Sequence, residues 1–201
     1  MPIVSDREYR NMMPLSALEG AEAESAPYRV RGYASTFERY LLWDYDGVQY
    51  YEEIAPTAFD AADMSDVILQ YDHEGRVFAR QSNGSLKLHI DDHGLGIEAD
   101  LGRTSSARAL YEDIAAGLIT RMSFAFTVAE DSYDKDTHTR RITRIKKVYD
   151  VSAVSIPANP GTDISARSWL DGVIEAEKAE RLRAENEARA RAKLALKLKL
   201  M

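Results

Sequence analysis

A serine hydroxyl becomes a nucleophile only beside a base, and the base works best beside a group that orients it. This chain offers a hydroxyl at Ser123, in Arg121-Met122-Ser123-Phe124-Ala125-Phe126-Thr127-Val128. Read as a strand of period two, Met122, Phe124, Phe126 and Val128 point into a core. Ser123, Ala125 and Thr127 then form a lane of small side chains with open space above it. The plainer alternative is an ordinary solvated face. Four histidines are the available bases. His138 falls in the polar stretch from Asp131 to Thr139, read as a solvated hairpin tip. His89 and His93 stand at i and i+4, which on a helix would suit a zinc pair. Ile90-Asp91-Asp92, followed by Gly94 and Gly96, reads instead as strand and turn. His73 remains. It follows the apolar run Val67-Ile68-Leu69, shares the parity of Leu69 and Tyr71, and precedes a Glu74-Gly75 turn, where a rigid element hands a side chain to a loop. The rival reading is a strand-end histidine satisfied by Asp72 or Glu74.

The third residue type is a carboxylate, and Asp150 is placed for it. In Val148-Tyr149-Asp150-Val151-Ser152-Ala153-Val154-Ser155-Ile156, alternation sets Asp150 on one face with Val148, Val154 and Ile156. A carboxylate buried in that apolar row without a partner costs several kcal/mol, so a donor or cation must face it. An imidazole is one such partner. Arg144, Lys146 or Lys147 is the structural competitor.

The elements around these residues follow from periodicity and turn signals. Residues 28–36 (YRVRGYAST) alternate as a strand, with a bulge or close approach expected at Gly32. Asp46-Gly47 marks a hairpin before Val48-Gln49-Tyr50-Tyr51, and Pro56 opens a helical stretch towards Met64. Ser85 to His89 and Gly94 to Leu101 read as two strands. Thr104 to Leu118 is the clearest internal helix, capped by Thr104 or Ser105, with Ala107, Leu110, Ile114 and Leu118 at helical spacing and Gly117 near its end. Residues 1–26 combine a short strand (Arg7 to Met13) with an Ala/Glu/Ser-rich loop (Ser16 to Ala26), read as an N-terminal arm. From Asp171 to Met201 the chain has no proline and one glycine, and its basic residues gather in the second half, as a helix dipole favours. The expected division is an arm at 1–26, a main domain at 27–170 and a charged helical tail at 171–201. Many short strands with inserted helices imply a β-rich α+β fold, a barrel or sandwich decorated by helices.

Composition narrows the function classes. The chain has 201 residues and no cysteine, which removes disulfides, thiol catalysis and thiolate metal sites and fits a reducing compartment. A net charge of -7 argues against broad nucleic-acid binding. No apolar run approaches membrane-spanning length, and the N-terminus lacks a signal-peptide layout. A soluble, cytoplasmic protein is the expectation.

Taken together, three segments resemble the signature blocks of the prohead serine proteases of tailed bacteriophages. They are Leu69-Gln70-Tyr71-Asp72-His73, Met122-Ser123-Phe124-Ala125-Phe126, and Asp150-Val151-Ser152-Ala153-Val154-Ser155-Ile156-Pro157-Ala158-Asn159-Pro160. Arg31-Gly32-Tyr33-Ala34 and the segment from Glu53 to Phe59 match the family's early strand and the turn and helix after it. The resemblance runs from about Tyr28 to Ala166. It departs at Ala125, where the family usually has Gly, and at Asp150, where it often has Glu. It implies an assemblin-like closed or partly closed barrel, akin to the herpesvirus assemblins, with Ser123 as nucleophile, His73 as base and Asp150 as acid. The backbone N–H groups of Ala158 and Asn159 would form the oxyanion hole.

The implied function is a serine endopeptidase that cuts capsid-protein or scaffold extensions, and itself, inside an assembling procapsid in the host cytoplasm. Capsid and scaffold proteins are then its partners, and no cofactor or metal is expected. Related assemblins need dimers, so a homodimer is left open, with no surface singled out. A non-catalytic, protease-like assembly factor is the alternative. The stretch from Ala188 to Met201 carries five basic residues and no acidic one, which suits a tether or simply a solvated terminal helix.

Overall fold

The computed structural model describes residues 7–17, 27–155 and 164–199. Its described residues fall into two units, one within residues 1–163 and the other within 164–201. The first is β-rich. Its strands are β1 (Glu8–Ala17), β2 (Arg29–Thr36), β3 (Tyr40–Tyr45), β4 (Val48–Ile54), β5 (Ile68–Tyr71), β6 (Glu74–Arg80), β7 (Leu86–Ile90), β8 (Gly94–Asp100), β9 (Arg121–Asp134) and β10 (Thr139–Val154). A 3₁₀ turn at Pro56–Phe59 and helix α1 (Ser105–Ala115) interrupt them. The second unit is one helix, α2 (Ile164–Lys199), which begins ahead of the expected Asp171. Side chains described from Lys178 onward are exposed, and Arg191 and Glu187 pair one turn apart. No helix among the described residues is long and apolar enough to cross a membrane.

The strands pair in the order β3-β4-β10-β9-β1-β2-β8-β7, with β5 joined to β10 and β6 to β5. Among the described residues β3 and β7 end this path without pairing to each other, so of the expected closed or partly closed barrel the closed form is not shown. β10 organises the sheet. One side pairs antiparallel with β9 along its length. The other takes β4 in parallel at Thr139 to Ile142, then β5 in parallel at Asp150 to Ala153. Phe124 and Phe126 of β9 are fully buried and stack with 4.4 Å between ring centroids, so the apolar half of the Ser123 strand lies in the core.

β1 lies inside the sheet, paired to β9 on one side and β2 on the other. Glu8 and Arg10 on this strand enter a buried ionic cluster with Glu52 of β4 and Arg140 of β10. Arg140 donates to both carboxylate oxygens of Glu8 (2.7 and 2.9 Å), to Glu52 (3.1 Å) and, through Nε, to Asp131 (2.7 Å). Arg10 donates to Glu8 (2.5 Å) and twice to Glu52, which also accepts from the Tyr40 hydroxyl. Burial pushes the Glu8 carboxyl up, but the neighbouring Arg10 and Arg140 outweigh it and hold the group below its ordinary range.

Local signals set several boundaries. Asp46 (φ 52°) and Gly47 (φ 79°) make the two-residue hairpin expected between β3 and β4. The Thr104 hydroxyl caps α1 by accepting from the Ala107 N–H at 3.1 Å, and Ala107, Leu110 and Ile114 are buried. Leu118, expected on the same face, is 73% exposed because the helix ends at Ala115 and Gly117 (φ 72°) turns the chain away. The register shift in β2 falls between Tyr33 and Ser35, while Gly32 pairs regularly with Ile97.

Candidate active site

Ser123 sits on β9 directly opposite Ser152 of β10, with Asp150 opposite Ala125. Cross-strand partners project from the same face of a sheet. Asp150 therefore shares the lane of Ser123 and Ala125, while Val148, paired with Phe126, belongs to the other face. The expected common face for Asp150 and Val148 is thus corrected. The cause is a bulge between Val148 and Asp150, where two steps along β10 match one along β9. An extra residue at a bulge reverses the alternation and re-aims the side chain beyond it. The buried Asp150 carboxylate consequently points into the polar lane.

His73 reaches the lane by another route. β5 ends at Tyr71, and Tyr71 pairs with Glu74 of β6, so Asp72 and His73 are the two central residues of a tight hairpin. Both have positive φ (49° and 59°), as such a turn requires. The turn is therefore Asp72-His73, not Glu74-Gly75, and strand parity with Leu69 and Tyr71 does not govern the imidazole. The tip is tied to the end of β10. Asp72 N–H donates to the Ala153 carbonyl (3.0 Å), Asp72 accepts from the N–H (3.0 Å) and hydroxyl (2.8 Å) of Ser155, and His73 N–H donates to Ser152 Oγ (3.3 Å).

The three side chains meet. His73 Nε2 lies 2.6 Å from Ser123 Oγ, and His73 Nδ1 lies 2.5 Å from Asp150 Oδ1. With the proton on Nδ1 donated to Asp150, the Nε2 lone pair faces the serine hydroxyl. Of the three cations considered as rivals for Asp150, Arg144 pairs with Glu130 (2.6 Å) and Lys147 with Asp63 (2.7 Å), while Lys146 is exposed. Ser123 is only 1% exposed, so the lane is covered rather than open. The imidazole lies against its oxygen, and the Tyr9 ring of β1 packs edge-on to that imidazole at 4.7 Å.

Other candidates lie apart from this chain of bonds. His89 is on β7 and His93 in the turn before β8. The Asp91 carboxylate between them accepts from the Tyr33 hydroxyl (2.7 Å) and from the N–H groups of His93 (2.8 Å) and Gly94 (3.0 Å), which keep it below the ordinary aspartate range. Among the described residues no three His, Asp or Glu side chains gather as a metal site. His138 is half-buried, its Nδ1 2.9 Å from the Tyr133 hydroxyl, rather than solvated. Ala158 and Asn159 lie outside the described residues.

Two neighbours of the site were not singled out from the sequence. Ser152 had a usable signal, its i+2 spacing from Asp150 on a strand. Tyr9 had none, because its place depends on β1 pairing with β9 more than a hundred residues away. The family model described as Caudovirus prohead serine protease matches residues 15–173. No curated protein and no solved structure matches the chain.

Proposed function

Since the chain belongs to the caudovirus prohead serine protease family, we propose that it is a serine endopeptidase of capsid maturation whose nucleophile, base and acid are Ser123, His73 and Asp150. The observation that carries this reading is the unbroken sequence of contacts from the Ser123 hydroxyl through both imidazole nitrogens to Asp150. Ser123 Oγ attacks the scissile carbonyl as its proton passes to His73 Nε2, and Asp150 stabilises the imidazolium through Nδ1–H. The imidazolium then protonates the leaving amine, giving an acyl-enzyme on Ser123. Water, deprotonated by the same nitrogen, releases the acid product and restores the hydroxyl. Backbone N–H groups of Ala158 and Asn159 are the proposed oxyanion donors, each worth on the order of 3 kcal/mol in such sites.

The proposed substrates are capsid- and scaffold-protein extensions, cut within the assembling procapsid. The test is incubation of the protein with its cognate coat or scaffold protein, followed by mass spectrometry of the termini produced. Defined new termini with the wild type and none with Ser123→Ala are expected. Identical termini with both proteins would remove Ser123 from the chemistry.

A further inference from the structure

Ser152 is completely buried, yet its hydroxyl is used in both directions. Its Oγ donates to Asp150 Oδ1 at 2.9 Å and accepts the backbone N–H of His73 at 3.3 Å. The oxygen it meets on Asp150 is the one that meets the imidazole, 2.5 Å from His73 Nδ1. Ser152 also stands opposite Ser123 on β9 and opposite Gln70 on β5, at the seam where the two strands flank β10. One hydroxyl thus touches the carboxylate, the backbone of the base and the seam facing the nucleophile.

We propose that Ser152 is a positioning residue of the peptidase, a clamp that holds the acid and the base in register with each other. The need for such a clamp follows from the local backbone. His73 has φ 59°, a left-handed conformation that a side chain with a Cβ disfavours, so the hairpin tip needs an external bond to hold it. A carboxylate beside the imidazole can turn about its own Cβ–Cγ bond unless a second donor pins one oxygen. A hydroxyl meets both needs because it donates and accepts at once. A methyl group does neither, and a thiol does both weakly. This assignment rests on the proposed roles of Ser123, His73 and Asp150, and it makes Ser152 act only through the last two.

The test compares Ser152→Ala and Ser152→Cys with the wild type by peptide-cleavage kinetics, thermal melting and proton NMR of the imidazole N–H. Outer-shell partners that orient a metal-ligating imidazole typically cost 10–100-fold when removed, and the same scale is expected for a partner of the acid and the base. For Ser152→Ala we therefore expect kcat to fall by roughly 10–100-fold, with KM held within about twofold because no substrate contact is lost. Ser152→Cys should lie between the two, following donor strength rather than side-chain volume. A downfield Nδ1–H signal, expected in the wild type from the bond to Asp150, should broaden or vanish in a folded Ser152→Ala. Wild-type kcat and an unchanged signal in Ser152→Ala would overturn the proposal, as would equal losses in the Ala and Cys variants. If Ser152→Ala does not fold, the Cys variant decides by its signal and kcat. A wild-type protein that cleaves nothing would refute the peptidase reading instead, and the N–H signal of the variants would then decide the positioning role.

Discussion

β1 separates two polar clusters built on opposite principles. On the face of Glu8 and Arg10 lies the ionic cluster with Glu52 and Arg140, where two guanidinium groups meet two carboxylates and each charge has an opposite within hydrogen-bonding distance. On the face of Tyr9, which pairs with Ala125, lies the line from Asp150 through His73 to Ser123. Both are buried and both draw on β10. The first is saturated: its guanidinium and carboxylate groups bond to one another, to Asp131 and to the Tyr40 hydroxyl, so it holds strands together. The second is a relay, with a carboxylate at one end, a ring of two inequivalent nitrogens between, and a hydroxyl whose proton has somewhere to go. On the proposed reading, saturated charge gives cohesion, and a chain ending in a hydroxyl gives reactivity.

Substitutions should separate the two clusters by what they damage. The largest effect is expected on the relay side. His73→Ala should lower kcat by on the order of 10⁶-fold, as loss of the histidine does in a serine peptidase, in a protein that still folds. Comparable activity in both proteins would show that the relay is only structural. Asp150→Asn should cost on the order of 10⁴-fold by favouring the wrong imidazole tautomer. A loss under tenfold would reduce the acid to a packing role.

The ionic side should show the converse. Glu52 is fully buried against Arg10, Arg140 and Tyr40. Glu52→Ala leaves two guanidinium groups short of a partner and should destabilise the fold by about 3–5 kcal/mol in denaturant unfolding. The activity of the molecules that remain folded should survive. Stability unaffected by this change would mean the cluster is not cohesive.

The smallest effect is acid sensitivity. Because the folded Glu8 carboxyl lies below its ordinary value of 4.5, its contribution is complete above that pH and is lost as pH falls through the folded value. Unfolding free energy should therefore decline below about pH 4.5, and more shallowly in Glu8→Gln. Parallel pH profiles for the two proteins would contradict the linkage.

Legibility in the sequence followed the range of the interactions. The Ser123 lane was readable because alternating Phe and small residues on one strand form a local pattern, and α1 because its cap and spacing do. The face of Asp150 was not, since the bulge that sets it arises from pairing with β9. The orientation of His73 depends on two positive φ values, which Asp72-His73 does not announce as Asp46-Gly47 does. The ionic cluster joins Glu8 to Arg140, 132 residues apart, and no local pattern marks it. The β-rich α+β class came from strand and turn signals, whereas the closure of the sheet depends on which strands become its edges.

The central claim is that His73 makes Ser123 nucleophilic, and its most direct test is labelling of the intact protein with a fluorophosphonate, followed by peptide mass spectrometry. The adduct should sit on Ser123 in the wild type and be nearly absent in folded His73→Ala. Labelling that is indifferent to His73, or an adduct on any other residue, would contradict the account.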